Sequence, residues 1–157
     1  MVQKIWLKIL IDIFMEKDKQ VFVDSNYFVA FFNVKDNLHQ NAISWAKKLE
    51  SGKITIIISN FIFLEVVTVL AQRVGKETSV RVGRYLSEDP KIKIIHIDTI
   101  LQDDTWHIFR KIKDKNIGFV DCSILAVLQA EYMAELLTFD ETDFKKLRKN
   151  YRFNLFK

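Results

Sequence analysis

Along this chain, short runs of β-branched and aromatic residues alternate with longer stretches whose apolar positions recur every three to four residues. "QVFVD" (Gln20–Asp24), "KITIIIS" (Lys53–Ser59), "KIKIIHID" (Lys91–Asp98) and "ELLTFD" (Glu135–Asp140) read as strands, and "YRFNLF" near the end as a terminal edge strand. "KITIIIS" has no polar alternation, the pattern of a strand covered on both faces. Helices are predicted over Ser25–Phe32, Lys35–Gly52, Asn60–Val74, Lys76–Asp89, Thr99–Lys115, Gly118–Met133 and Glu141–Asn150. In the second of these Leu38, Ala42, Trp45, Ala46 and Leu49 keep helical spacing, with Asp36 as the expected N-cap and Gly52 as the stop. Gly75 should end the third helix, and Pro90 should close the fourth. Buried strands separated by helices imply an α/β domain around a parallel sheet. In open sheets of this kind ligands sit at the carboxyl ends of the strands, which is where Asp24 and Asp140 fall.

Charge is placed unevenly on this pattern. Gln20–Val34, Ile54–Gln72 and Asn116–Ala130 each contain one charged residue, respectively Asp24, Glu65 and Asp121. Those 49 residues hold three acids and no base, whereas the other 108 carry 17 acids and all 24 bases. Each acid has an ordinary use: Asp24 as a helix N-cap, Glu65 as a solvent-facing residue, Asp121 as a helix N-terminal acid favoured by the dipole. For Glu65 no polar face is visible, because Phe61, Ile62, Thr68 and Val69 share its side of the helix. Semi-buried acids without basic partners are costly unless they protonate or bind a cation. Converging carboxylates suit a hard divalent ion such as Mg²⁺ or Mn²⁺. Asp140 and Asp143, one helical turn apart in "LLTFDETDF", are a further pair, and Asp140 has an ordinary use as the next helix's cap.

Composition narrows the class. The chain has 157 residues, 49% hydrophobic, with four glycines and one proline, as expected of a soluble globular domain. Its single cysteine, Cys122, excludes an internal disulfide framework or a cysteine zinc cluster and fits a reducing cytosol. A net charge of +4 is compatible with a polyanionic substrate and weak evidence for one. His39, His96 and His107 lack metal-ligand spacing and read as structural or solvated. Trp45 and Trp106 read as core or interface residues, and "KKLRKNYR" as a solvated basic helix or a nonspecific phosphate contact. Lys4, Lys8 and Asp12 break the apolar N-terminal run, so no membrane span or secretory signal is expected there. Ile5, Ile9 and Ile13 nevertheless share one helical face. The simplest reading of residues 1–19 is an accessory extension, or an upstream start with Met15 as the true beginning, leaving residues 20–157 as the domain proper.

"VFVDSN", "SNFIFLEVVTVLAQR", "GFVDCSILAVLQA" and "LLTFDETDF", in that order, resemble the motifs of PIN-domain ribonucleases, and more narrowly of VapC-type toxins from toxin–antitoxin pairs. "DNLHQNA" resembles the segment that follows the first helix in that family, and the likeness runs from about Gln20 to Phe156. The resemblance implies a three-layer α/β/α fold with a central parallel sheet and a Mg²⁺- or Mn²⁺-dependent endoribonuclease in the cytoplasm. By motif position Asp24, Glu65, Asp121 and Asp140 would be the catalytic acids. Asp24, Asp121, Asp140 and Asp143 are candidate metal ligands, and Ser25, Asn26 and Thr138 candidate polar helpers. An RNA substrate, a cognate antitoxin that covers the acids and a homodimer are implied as partners. One departure stands out: "NIGF" precedes the third acid where the family often has Ser or Thr. Three rivals remain at this level. They are a noncatalytic RNA-binding scaffold of the same fold, a Mg²⁺-dependent phosphatase or receiver-type domain built on Asp24, and a DNA nuclease of related architecture. Against the receiver, "VFVDSN" lacks a paired acid and "LLTFD" ends in Asp where a Lys is wanted.

Overall fold

The computed structural model describes residues 19–157; the expected N-terminal extension lies, apart from Lys19, outside the described residues. Five parallel strands form one sheet in the order β3-β2-β1-β4-β5. They are β1 (Gln20–Val23), β2 (Thr55–Ser59), β3 (Ile92–Ile95), β4 (Glu135–Leu137) and β5 (Asn154–Leu155). The helices are α1 (Ser25–Phe32), α2 (His39–Ser51), α3 (Asn60–Arg73), α4 (Lys76–Glu88), α5 (Thr99–Lys111), α6 (Phe119–Ala130) and α7 (Glu141–Leu147). They flank the sheet in the three-layer α/β/α arrangement expected of the pattern. Among the described residues, no helix is long and apolar enough to cross a membrane.

The core follows from the apolar runs. Phe22 of β1, Ile58 of β2, and Leu136 and Leu137 of β4 are completely or almost completely enclosed, as are Ile62, Leu70, Leu86, Ile124, Leu125 and Phe144 from the helices. Burying each such side chain contributes about 1.5–3 kcal/mol, so the strand order is fixed by the segments that lack a polar face. Val21 and Phe22 register with Ile56 and Ile57 of β2, and Phe22 and Val23 with Leu136 and Leu137 of β4. The most apolar strands therefore occupy the middle.

Element ends differ from the sequence reading in informative places. The second helix starts at His39, not near Lys35, and Asp36 is not its cap. The Asp36 carboxylate instead accepts the Leu38 amide in a turn, and this local bond competes with helix formation. α5 stops at Lys111 because Asp114 draws the following chain into its own turn, accepting the Asn116 amide at 3.0 Å. α6 spans only Phe119–Ala130, and Tyr132 beyond it takes a left-handed φ of 51°. Gly52 does terminate α2. Gly75, with φ 135°, makes the reversal between α3 and α4, a backbone that a side chain would strain. The reversal lets Ser79 Oγ of α4 donate to the Val67 carbonyl of α3 at 2.6 Å.

Topology then marks a crevice. The chain runs outward from β1 through β2 to β3, then crosses back to place β4 on the other side of β1. This reversal of direction is the switch point at which open α/β sheets leave a cleft beyond the carboxyl ends of their strands. Asp24 follows β1 there, and Thr138 to Asp140 follow β4, the two joined by the Asp24 amide donating to the Leu137 carbonyl at 2.9 Å.

Candidate active site

Asp24 is 3% exposed at the end of β1, and it does serve as the N-cap of α1: its Oδ1 accepts the Ser25 amide at 2.7 Å. The capping use and the functional use are therefore not alternatives. The second oxygen, Oδ2, accepts the Thr138 hydroxyl at 2.7 Å and Asn26 Nδ2 at 3.0 Å. Asn26 is the bridge of the site. Its Nδ2 also reaches Asp140 Oδ2 at 3.0 Å, while its Oδ1 accepts the Phe139 amide at 3.1 Å. Thr138 Oγ1 in turn accepts the Asp140 amide at 3.0 Å. One amide and one hydroxyl thus tie the loop after β1 to the loop after β4.

Two acids enter from other helices. Glu65 sits half-buried on α3, where its Oε2 accepts the Ser25 hydroxyl at 2.6 Å. The Ser59 hydroxyl accepts the Ile62 amide at 3.2 Å and so starts α3 at the end of β2, which carries Glu65 toward the cleft. Asp121 lies in the first turn of α6, its Oδ2 accepting the Gly118 amide at 2.7 Å. Asp140 stands at the N-cap position of α7 but forms no side-chain cap bond; its carboxylate is turned to Asn26 instead. Asp143, in the first turn of α7, is ion-paired through Oδ1 to Lys146 Nζ at 2.8 Å.

The carboxylates feel one another. Burial pushes the Asp24 carboxyl up to about 7; the Thr138 hydroxyl and Ser25 amide oppose this, and the charges of Asp121 and Asp140 add to it. Burial likewise raises Asp121 to about 6 against the Gly118 amide, with Asp140, Glu65 and Asp143 all pushing the same way. The five sequence-nominated acids are therefore electrostatically linked at one end of the sheet, and Lys146 on Asp143 is the one ion pair to any of them among the described residues. Such a set of hard oxygen donors with excess negative charge fits Mg²⁺ or Mn²⁺. Among the described residues, however, no three His, Cys, Asp or Glu side chains stand close enough together to hold a metal ion as they are placed here.

Residues outside the cluster behave as their patterns imply. His39 Nδ1 lies 2.9 Å from the Ala30 carbonyl, and His96 and His107 are exposed. Trp45 packs against Phe156 with ring centroids 5.4 Å apart. Cys122 is fully buried and its thiol is pushed up to about 11, which rules it out as a thiolate nucleophile near neutral pH. Sequence reasoning missed Gly118 as the donor that orients Asp121, since a backbone amide has no side-chain signature. It also missed Asp114 and Lys146, whose contact spans 32 positions and leaves no local pattern.

Comparison with known proteins follows the same lines. A family model described as PIN domain matches residues 21–150. The 23S rRNA-specific endonuclease VapC20 of Mycobacterium tuberculosis is 24% identical over 121 residues, which cover 76% of this chain and 88% of that protein. Its crystal structure, described as a Sarcin-Ricin loop cleaving toxin, superposes with a TM-score of 0.71 at 23% identity, covering 83% of this chain and 95% of the other. VapBC2 from Rickettsia felis, bound to a DNA fragment from the promoter, matches with a TM-score of 0.61 at 20% identity, over 88% and 99% of the two chains. FitAcB from Neisseria gonorrhoeae matches with a TM-score of 0.60 at 17% identity, over 85% and 96%.

Proposed function

This chain belongs to the PIN-domain family, and on that premise we propose that it is a metal-dependent endoribonuclease, the toxin component of a cytoplasmic toxin–antitoxin pair. The observation that carries the reading is the linked set of five acids at the carboxyl end of the sheet, of which only Asp143 is ion-paired, to Lys146, among the described residues. Residues 20–157 would be the nuclease unit.

In this reading Asp24, Asp121 and Asp140 would hold the cation, with Asp143, here ion-paired to Lys146, as a further candidate ligand. A bound Mg²⁺ or Mn²⁺ supplies water activation and charge neutralisation on the phosphoryl oxygens. The remaining work falls to side chains. Glu65, fixed by the Ser25 hydroxyl, is the acid free to take a proton from the attacking water. Thr138 and Asn26 hold the Asp24 and Asp140 carboxylates in register, so a change in either displaces a ligand, not merely a contact. The Gly118 amide does the same for Asp121, in the segment that lacks the family's frequent Ser or Thr.

An antitoxin is the proposed protein partner, in keeping with VapBC2 from Rickettsia felis among the matching structures. A homodimer is proposed on the apolar surface carried by α3 and α5, where Leu64, Ile100 and Trp106 are half or more exposed.

The test is cleavage of a mixed-sequence RNA by purified, antitoxin-free protein in Mg²⁺ or Mn²⁺, beside EDTA and an Asp121→Asn variant. Cuts that require the metal and vanish in the variant are expected. Folded, metal-binding protein that cuts none of several RNAs overturns the nuclease reading in favour of a noncatalytic scaffold.

A further inference from the structure

Lys146 Nζ sits 2.8 Å from Asp143 Oδ1 and 3.0 Å from Asp114 Oδ2, so one ammonium joins the turn after α5 to α7. That contact brings together two basic stretches remote in sequence, "KIKDK" (Lys111–Lys115) and "KKLRK" (Lys145–Lys149). Lys113, Lys115 and Lys149 are exposed, and none has a carboxylate within ion-pair distance among the described residues. Lys145 is exposed as well, held only by Glu141 one turn back at 2.8 Å. Exposed lysines are ordinary singly. Here like charges from two segments are drawn together with acids enough to offset only some of them, and the join is made through Asp143, whose charge also acts on Asp121. The two basic stretches therefore meet at Lys146, whose partner Asp143 is itself one of the linked acids.

The juxtaposition answers a physical need. Carboxylates that bind cations repel phosphates, so a polyanion entering the cleft requires positive charge beside them. We propose that Lys113, Lys115, Lys145 and Lys149 form a track for the backbone phosphates of the RNA flanking the cut bond, with Lys146 as the positioning residue that aligns its two halves. This inference rests on the endoribonuclease reading and names the surface that would deliver substrate to that site. The contacts are to phosphates and carry no base preference.

Anisotropy of a mixed-sequence, 3′-fluorescein single-stranded RNA, titrated in EDTA across a KCl series, tests the track without cleavage. Lys113→Gln/Lys115→Gln, Lys145→Gln/Lys149→Gln and the quadruple variant are compared with Lys47→Gln/Lys91→Gln, which removes two exposed lysines elsewhere. Each lost phosphate contact should flatten the slope of log affinity against log salt by about 0.7, approaching about 3 for the quadruple variant. The control pair should keep the parental slope. A folded quadruple variant with the parental slope, or a control that loses as much, overturns the track. Salt-dependent binding of polyglutamate through the same four lysines, with none to RNA, overturns it too and marks a protein-binding surface. Wild-type cleavage in Mg²⁺, measured in parallel, separates the two ideas. If RNA is cut while the four lysines prove irrelevant, only the track fails; if RNA is neither cut nor bound, the nuclease reading fails and takes the track with it.

Discussion

Asp24 makes the sharpest case for a cation at this site, because its burial ties protein stability to pH. Its carboxyl is enclosed beside Asp121 and Asp140, and the folded-state value is raised from 3.8 to about 7. The folded protein therefore binds a proton that the unfolded chain has already released. The stabilisation from that proton is complete below the unfolded value and disappears as pH rises through about 7. Across the whole window the shift of roughly three units corresponds to about 4 kcal/mol at 1.36 kcal/mol per unit. Between pH 5.5 and pH 8, where the unfolded carboxyl is ionised throughout, about 2 kcal/mol of this is lost. For a chain of this length such a loss lowers Tm by about 4–8 °C. Asp121, raised to about 6, adds to the decline in the same direction.

The assay is thermal unfolding followed by circular dichroism at pH 5.5 and pH 8, in EDTA and in Mg²⁺, for wild type and Asp24→Asn. Without metal the wild type should lose stability over this range, and the variant's decline should be smaller by about 2 kcal/mol. The new amide nitrogen faces the Asn26 and Thr138 donors, which costs stability at every pH, so the slope is the readout. Mg²⁺ should raise wild-type Tm more at pH 8 than at pH 5.5, since protons compete for the same oxygens. Equal slopes in wild type and variant, or a Mg²⁺ effect independent of pH, would refute the reasoning.

Thr138→Val removes a buried hydroxyl that serves the Asp24 carboxylate and the Asp140 amide. It should cost about 1–3 kcal/mol in urea unfolding and about 10–100-fold in RNA cleavage, with Thr138→Ser restoring most of both. Gly75→Ala forces a side chain onto a φ of 135° and should destabilise by about 1–3 kcal/mol in the same unfolding assay, leaving the cleavage rate per folded molecule unchanged. Phe144→Ala opens a hole beneath α7, where Phe144 is almost completely enclosed. It should lower stability by about 3–5 kcal/mol, and a urea midpoint equal to wild type would contradict the packing described.

The order of strands and helices and the parallel sheet were legible in the chain itself, and so was the isolation of three acids within its uncharged segments. They rest on local physics: runs of β-branched residues favour extended strands, and a carboxylate inside a segment otherwise free of charge is conspicuous wherever that segment folds. Asp24, Glu65 and Asp121 stood out for that reason, and Asn26 and Thr138 only through likeness to a family. Helix ends were less legible. Asp36 and Asp114 turn the chain through their own side-chain bonds, and such bonds compete with helix hydrogen bonds by margins that periodicity does not register.

Tertiary structure alone decided what the acids are to one another. Asp24 lies 114 positions from Thr138, and Ser25 lies 40 from Glu65, so their hydrogen bonds depend on which strands are neighbours. Ordinary capping at Asp24 and membership of the acidic cluster looked like competing readings in the sequence, yet one carboxylate does both with its two oxygens. Asp140 resolved the other way, standing at a cap position while turning its oxygens to Asn26. The bridge from Lys146 to Asp114 left no trace in either segment, because a contact between a solvated helix face and a solvated turn imposes no pattern on the residues around it. Sequence determines which groups must be buried or solvated; only the folded chain determines which of them meet.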